Sequence, residues 1–353
     1  MMARTRAASP ASAPIRPGPP GPWRSGTGWA LPALAALFTQ GCELTEITVA
    51  QPEDVIIAEV QVVLTLDADG AGDVSMSALA LLHRTFQAGG SRKVRGATVR
   101  VTGQSGQVVR LVEQETASTC LIPRDEELTI KGGVLEPFDD ASCYRADQAG
   151  SPFSPGEPLS MEVVVPDGRV LTGASRTPGA FSFIGLTRED GQCRVEPDTH
   201  YGFEWTPSEG TWAYIADSRI EGLAEALAGQ DIEAPDSLYL SALAIGREDT
   251  EIVFPHDFGL FDFFDDDIQD VIRALEDGLP GDTRAAVSLS AVDRNLTNWA
   301  RGGNFNPSGL VRIPSVLGDG TGVFGTGVQR IVSIVSAPGG DGVPPLCGPP
   351  AAT

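Results

Sequence analysis

Histidine is scarce in this sequence of 353 residues, which contains only His83, His200 and His256. None of the three belongs to an HExxH metal-binding pattern, and the chain has neither a GxSxG nucleophile elbow nor a phosphate-binding P-loop. His83 lies in an apolar stretch, where a structural partner is a simpler role than a catalytic base. Ser175 lies in the segment GASRT, which lacks the second glycine of the elbow, although a Ser-His-Asp set can assemble from distant positions. The sequence therefore predicts no catalytic residue.

Positive charge is also scarce. The chain has 25 Lys and Arg residues against 47 Asp and Glu residues, which gives a formal net charge of −22. So acidic a body is expected to be repelled by nucleic acid and by anionic lipid headgroups, and no nucleic-acid partner is predicted. A well-solvated surface explains the acidity most simply, with loose association of Ca²⁺ as the alternative.

Long apolar runs are lacking at the N-terminus, where the run WALPALAALF covers only residues 29–38. Ten residues are too few to span a bilayer and are typical of the core of a secretory signal. The segment TQGC follows at once and contains Gly41 and Cys42. It resembles the bacterial lipobox, in which the cysteine becomes lipidated. We therefore expect a signal peptide with a disordered leader over residues 1–41, lipidation of Cys42 and a linker over 42–53. An ordinary signal peptide with a chance cysteine is the alternative.

Cysteine is rare but even in number once Cys42 is set aside. Export to an oxidising compartment makes paired disulfides the expected state of the other four cysteines. Three connectivities are possible, and we favour a local loop closed by Cys120–Cys143, with the C-terminal tail attached through Cys193–Cys347. A zinc site is disfavoured because the chain has no CxxC pattern and no nearby histidine pair.

Glycine and proline are abundant, at 41 and 27 residues, which disfavours long helices and suits short strands joined by turns. In the first half, alternating apolar residues flank turns at Gly103–Gly106 and Asp167-Gly168, which predicts hairpins. Strands at this regular spacing indicate an immunoglobulin-like β-sandwich over residues 54–180.

The second half is predicted to be β-rich, over residues 181–336, with one or two short helices. The clearest helical pattern is in FFDDDIQDVIRALEDG, where apolar residues fall on one face and Gly278 ends the helix. A second helix is predicted to begin near Asn295. A Gly/Pro-rich tail covers residues 337–353. The fold class is therefore mainly β, with two tandem β-sandwich-like domains.

Two groups of side chains suggest binding sites. Oxygen ligands in the glycine-bent segment DADGAGD resemble the start of a Ca²⁺ loop, but no glutamate completes the series, and a hairpin loop is the simpler interpretation. The corresponding residues are Asp67, Asp69 and Asp73. Aromatic side chains on a predicted hairpin could stack a ligand, although cross-strand rings are more often core contacts. These rings are Phe203, Trp205, Trp212 and Tyr214. No cofactor is assigned, and Ca²⁺ is the one ion considered.

The glycines of GDGTGVFGTG, residues 318–327, have the spacing of a dinucleotide-binding loop. Such a loop needs a helix after it, within a strand–helix–strand unit. Here a β-branched segment follows, and no acidic residue stands about twenty positions on to bind a ribose. We therefore expect a turn between two strands and no nucleotide site.

This segment also carries a resemblance. VRIPSVLGDGTGVFGTG is similar to the C-terminal signature of the bacterial outer-membrane lipoprotein family known as domain of unknown function 4249, with matches at Gly320, Gly322, Val323, Phe324 and Gly325. VRGATVRVTGQSGQVVRL, and the stretch from CYRADQ to the Thr-Pro at 177–178, resemble the first domain of that family. The resemblance implies a lipid anchor, an immunoglobulin-like first domain, a β-rich second domain and the company of TonB-dependent transporters. It implies no catalytic residues.

The sequence thus predicts an outer-membrane lipoprotein that contacts the membrane through an N-terminal lipid and has a non-catalytic binding or accessory role at the cell envelope. A TonB-dependent outer-membrane transporter is the expected neighbour. Whether the body faces the periplasm or the cell exterior stays open. An anchored hydrolase acting on polysaccharide or peptide, and an adhesin or structural envelope protein, are the alternatives.

Overall fold

The computed structural model describes residues 54–66, 74–85, 91–120, 140–230, 232–242, 245–259, 268–301 and 313–348. The signal peptide, Cys42 and most of the linker that follows it lie outside these ranges. Within them, no helix has the length and apolar character that crossing a membrane requires.

The protein is mainly β, as the sequence predicts. Its strands are β1 Ile56–Leu66, β2 Ser75–Arg84, β3 Thr98–Thr102, β4 Val108–Glu113, β5 Ser142–Gln148, β6 Pro158–Val164, β7 Val170–Arg176, β8 Phe183–Ile184, β9 Gln192–Val195, β10 Tyr201–Trp205, β11 Ala213–Glu221, β12 Ser237–Ser241, β13 Ile245–Gly246, β14 Glu251–Phe254, β15 Arg284–Val292, β16 Val316–Gly318 and β17 Gly320–Ser336. The predicted hairpins are present as β3–β4 and β6–β7.

Helices are short. The α-helices in the described ranges are α1 Leu223–Leu227, α2 Gln269–Leu275 and α3 Arg294–Arg301, and 3-10 turns cover Ala117–Cys120 and Ala228–Gln230. The helix predicted from apolar spacing is α2, which buries Val271, Ile272 and Leu275. Gly278 follows it with φ 123°, a conformation that favours glycine, and a Cβ there would lie 2.3 Å from the Thr199 nitrogen. The helix predicted near Asn295 is α3.

Fourteen strands form one sheet in the order β12-β11-β15-β17-β1-β2-β5-β4-β3-β6-β7-β16, with β13 beside β11 and β9 beside β17. A separate three-stranded sheet has the order β14-β10-β8. The long path folds back on itself, because β16 leads directly into β17 and β7 lies across from β17. A Cβ on Gly173 of β7 would lie 2.9 Å from the Phe324 Cβ. This is the face-to-face packing of a β-sandwich.

The longest run of pairing joins the two ends of the described chain. β1 and β17 are parallel neighbours from Ile56↔Gly320 to Leu66↔Arg330. Alternate β1 residues, from Ile56 to Leu66, are buried, as expected for a strand with one core face. Burying each such Val, Leu or Ile side chain contributes about 1.5–3 kcal/mol to folding.

This pairing crosses the domain boundary that the sequence predicts near residue 180. β1 precedes the boundary and β17 follows it, and β16 likewise pairs with β7. Residues 52–353 form one compact unit. The two predicted domains therefore share strands instead of meeting through a linker. Local patterns along the chain do not reveal this, because the pairing partners are more than 260 positions apart.

The glycines at 320–325 differ from the predicted turn. They lie inside β17, and the chain turns earlier, at Gly318, where φ is 106°. A Cβ on Gly320 would lie 2.5 Å from the Ile56 oxygen, and one on Gly325 would lie 2.8 Å from the Leu296 Cβ. The glycines thus allow β1 and α3 to approach β17 closely. A strand with this packing offers no loop for a pyrophosphate at these glycines.

The hairpin predicted over residues 201–217 is wrong. β10 pairs with β14 and β8, whereas β11 pairs with β12, β13 and β15 in the large sheet. The aromatic residues on both sides of the turn mimic a hairpin pattern, but each strand finds its partners elsewhere in the chain.

Both predicted disulfides are confirmed. Cys120 and Cys143 are bonded with Cα atoms 5.6 Å apart, and Cys193 and Cys347 with Cα atoms 4.8 Å apart. The second bond attaches the tail, and Cys347 also donates its backbone N–H to the Arg194 oxygen at 2.9 Å. The tail is therefore part of the folded body up to this cysteine.

Candidate functional site

The Ser175 hydroxyl is a candidate nucleophile, because it contacts a carboxylate. It donates a hydrogen bond to Asp293 Oδ2 and lies 3.0 Å from Thr326 Oγ1. The Thr326 hydroxyl in turn donates to the Arg176 oxygen at 3.0 Å. The end of β7, the strand β17 and the start of α3 meet at this cluster, which we call the Ser175–Asp293–Thr326 junction.

Asp293 is positioned by the beginning of α3. Its Oδ1 accepts the backbone N–H of Leu296 at 2.9 Å, the arrangement of a helix N-cap. Its own N–H donates to the Thr326 oxygen at 3.0 Å. Neighbouring Asn295 spans the junction, because its Nδ2 donates to the oxygens of both Ala174 and Phe324 at 2.9 Å.

Burial dominates the electrostatics of Asp293. The residue is 5% exposed. Desolvation raises the pKa of the Asp293 carboxyl, and the hydrogen bonds from Ser175 and from backbone amides oppose that increase. The junction thus contains the buried Asp293 carboxyl, which accepts hydrogen bonds from neutral donors only among the described residues.

The junction has no histidine to act as a base toward Ser175. His83 lies 3.4 Å from Arg92 Nη2, His200 bonds to the Glu276 oxygen at 2.9 Å, and His256 lies 2.9 Å from Asp257 Oδ1. Desolvation by burial lowers the pKa of His83. A Ser-His-Asp set does not assemble around Ser175 in the described chain, and the junction has the features of a structural contact between β7, β17 and α3.

Two of the aromatic rings considered for ligand stacking are core residues. Trp205 is 1% exposed and Tyr214 is 0% exposed, and their ring centroids lie 5.2 Å apart. Phe203 is also buried and contacts Tyr201 edge-on. A buried ring cannot receive a ligand from solvent, so the predicted platform is absent. Trp212 alone is accessible, at 40%, and Arg294 lies over its ring at 5.0 Å.

Other predicted site residues lie outside the described ranges. Cys42 is one of them, and the Ca²⁺ candidates Asp67, Asp69 and Asp73 fall in the segment 67–73. Within the described ranges, no group of three or more His, Cys, Asp or Glu side chains is placed to hold a metal ion.

An open concavity lies on the solvent face of strands β3, β4, β6 and β7. It has a volume of about 730 Å³. We call it the outer groove, and its polar lining consists of Arg100, Thr102, Arg110, Ser160, Glu162 and Thr172. These residues form rows across the sheet, since Arg110 is opposite Arg100, Arg100 is opposite Glu162, and Glu162 is opposite Thr172.

The charges of the outer groove are unevenly paired. Arg100 Nη2 forms an ion pair with Glu162 Oε1. Arg110, directly opposite Arg100, is exposed and has no acidic partner in the described part of the chain. Two like charges opposite each other weaken a sheet, and only one of these two is neutralised. Val108, 50% exposed, adds an apolar edge.

Sequence reasoning missed the outer groove. The residues are visible as the polar members of the alternating hairpin strands, whose apolar members Val99, Val101, Met161 and Val163 face the core. The missing information is which strands are neighbours. β3 lies between β4 and β6, so that two hairpins distant in sequence contribute to one surface.

Comparison with known proteins adds no relative. No model of a known protein family matches the chain, and no curated protein matches it significantly. The family resemblance noted above, and what it implies about anchor and partner, therefore stay predictions.

Proposed function

We propose that the protein is a lipid-anchored outer-membrane lipoprotein, acylated at Cys42, with a non-catalytic binding role at the cell envelope. The observation that carries the binding role is the outer groove, where Arg110 has no acidic partner among the described residues. The setting of Ser175 favours the same conclusion, because its hydroxyl bonds to Asp293 and Thr326 and not to a histidine.

The groove suits an extended, acidic polypeptide segment. Its rows of hydroxyl and guanidinium groups offer donors at the spacing of successive side chains on a strand. A carboxylate placed between Arg110 and Arg100 relieves the repulsion of this pair and gains charge-assisted hydrogen bonds. The surrounding protein is strongly acidic, so this positive row is a local exception that selects for an anionic partner.

The partner that we propose is an acidic segment of a TonB-dependent outer-membrane transporter, the neighbour implied by the family resemblance. Charge complementarity with the arginine row supports this choice.

Crosslinking in intact outer membranes tests the binding role. The wild-type protein should recover a transporter after crosslinking and pull-down, and Arg110→Glu should reduce that recovery about tenfold, the effect of a lost ion pair plus a new repulsion. Arg284→Glu is the matched control, because Arg284 is an exposed strand arginine on β15, far along the sheet from the groove. Equal recovery with both variants, or recovery of no transporter with the wild type, would contradict the proposal.

A further inference from the structure

A second concavity lies where the described chain begins, and it is basic. It has a volume of about 250 Å³ and lies between the end of β2, the segment 91–97 and the turn between β6 and β7. We call it the basic cleft, and its lining includes Arg84, Lys93, Val94, Arg95, Val165 and Asp167. Three cations against one carboxylate is a reversal of the charge balance of the whole chain, which is −22.

The one carboxylate of the cleft is already engaged. Asp167 Oδ2 lies 2.7 Å from Arg169 Nη2 and 3.4 Å from Arg84 Nη2. Hydrogen bonds from Arg169 hold the pKa of Asp167 at about 2. Asp167 therefore stays ionised and is used by these two arginines.

Lys93 and Arg95 have no such neutralisation. Neither forms an ion pair in the described part of the chain; Lys93 is half-buried, and Arg95 is exposed. Glu113, at the end of β4, accepts the Gly96 N–H at 2.8 Å and lies 3.3 Å from the Tyr144 hydroxyl. Lys93 and Arg95 flank the buried Val94, and both line the opening of the basic cleft.

The segment that carries them is held in place. Tyr144 Oη donates to the Val94 oxygen at 2.8 Å and accepts the Ala97 N–H at 3.0 Å. Arg84 N–H donates to the Arg92 oxygen at 2.9 Å, which ties the segment to the end of β2. The cations thus stand on a fixed backbone, which lowers the entropy cost of binding an anion.

The cleft lies beside the entry of the chain from its N-terminal side. Asp54 Oδ2 contacts Arg84 Nη1 at 2.5 Å, and Arg169 Nη1 donates to the Asp54 oxygen at 3.1 Å. Asp54 stands twelve positions after Cys42. A chain of that length reaches at most about 40 Å, so an anchor at Cys42 keeps this end of the body near the bilayer.

We propose that the basic cleft binds the phosphate of anionic lipid headgroups in the leaflet that holds the anchor, an inference that rests on the proposed lipidation of Cys42. The overall acidity predicts repulsion from such a surface, but acidic groups more than about 8 Å away are screened at physiological salt. Lys93 and Arg95 are at the opening and act within that distance. The lipid on Cys42 holds the protein at the membrane, and the basic cleft orients the folded body on its surface.

Vesicle binding by the chain without its lipid separates the contribution of the basic cleft from that of the anchor at Cys42. This protein runs from residue 43 and contains the whole compact unit 52–353. It should cosediment with phosphatidylcholine vesicles that contain phosphatidylglycerol and not with pure phosphatidylcholine. Lys93→Glu with Arg95→Glu should weaken the binding at least about tenfold. Arg219→Glu with Arg284→Glu, on exposed positions of β11 and β15, is the matched control and should bind as the wild type does.

The double variant Lys93→Arg with Arg95→Lys should bind anionic vesicles as the wild type does, because it keeps a positive charge at both positions. Three results would overturn the inference. The Glu double variant binds anionic vesicles as well as the wild type does, the wild type does not bind them, or the wild type binds free inorganic phosphate but no anionic vesicles. Loss of acylation at Cys42 is detected separately, by lipid labelling in cells, so failure of the anchor and failure of the cleft are distinguishable.

Discussion

Ser175 donates its hydroxyl hydrogen to Asp293, across 118 positions of sequence. This bond joins the end of the β6–β7 hairpin, in the first half of the chain, to the cap of α3 in the second half. Thr326 of β17 completes the contact. The halves are thus connected by a buried polar contact in addition to the shared strands, and the contact is sensitive to the ionisation of one carboxyl.

Asp293→Asn should change the dependence of stability on pH. Burial raises the folded-state pKa of Asp293 above 3.8, so its favourable contribution is complete below about pH 4 and is lost as the pH rises through the folded pKa. Asparagine caps helices equally well and carries no charge. Urea unfolding at several pH values should show the variant gaining stability relative to the wild type as the pH increases.

Asp293→Ala is the companion variant. It removes the cap and leaves the Leu296 N–H without its partner, which should cost about 1–2 kcal/mol in the free energy of unfolding. A pH-independent difference between Asp293→Asn and the wild type would show that burial does not govern this carboxyl.

Gly322→Ala should destabilise the pairing of β1 and β17. Its φ is 139°, and a Cβ there would lie 2.0 Å from the Ala58 oxygen, so the expected cost is about 3 kcal/mol or more. Gly327→Ala on the same strand is the control, because its Cβ would lie 3.4 Å from the Ala291 oxygen, an ordinary contact. Thermal unfolding of both variants checks this. Similar Tm values for the two would contradict the observed register.

Removing the disulfide of the tail should cost more than removing the local one. In the chain-entropy view, Cys193–Cys347 closes a loop of 154 positions and Cys120–Cys143 one of 23, which correspond to about 5 and about 3.5 kcal/mol. Paired Cys→Ser variants compared by urea unfolding test the order. The tail should also become accessible to carboxypeptidase only when Cys193–Cys347 is removed; equal tail cleavage in both variants would contradict its attachment.

Tyrosine titration tests the setting of the segment beside the basic cleft. Desolvation by burial raises the pKa of Tyr144 to about 12, and the same cause raises that of Tyr201 to about 12. Ultraviolet titration should therefore show two tyrosines that ionise near pH 12. Tyr144→Phe should remove one of them and cost about 1–3 kcal/mol, because the Ala97 N–H and the Val94 oxygen lose their shared partner. Ionisation of every tyrosine near pH 10 would contradict this environment.

Local features of the fold follow from the sequence because their causes are local. Alternation in β1 reflects one buried face, the turn at Gly168 needs a φ of 92°, and the spacing of Val271, Ile272 and Leu275 produces the buried face of α2. The disulfide pairs match the favoured one of three possible connectivities, in which Cys120 and Cys143 close a local loop.

Distant pairing was not predictable for an equally physical reason. Strands pair through backbone N–H and C=O groups, which do not depend on the side chains. The sequence of β1 therefore does not indicate that β17 is its neighbour. The glycine run at 320–325 does contain a signal, namely close backbone approach, but it has the same letters as a phosphate loop or a turn. Similarly, the aromatic residues Trp205 and Tyr214 indicate core packing and ligand stacking alike until their burial is known.

Lipidation of Cys42 underlies both the proposed anchor and the proposed contact of the basic cleft with the membrane. Cells that express the full chain can be grown with labelled palmitate, and the protein recovered from the outer-membrane fraction. We expect label in the wild-type protein and none in Cys42→Ala, with the variant released from the membrane. Equal labelling of both proteins, or an unlabelled wild type in the cytosol with its cysteines reduced, would contradict the account.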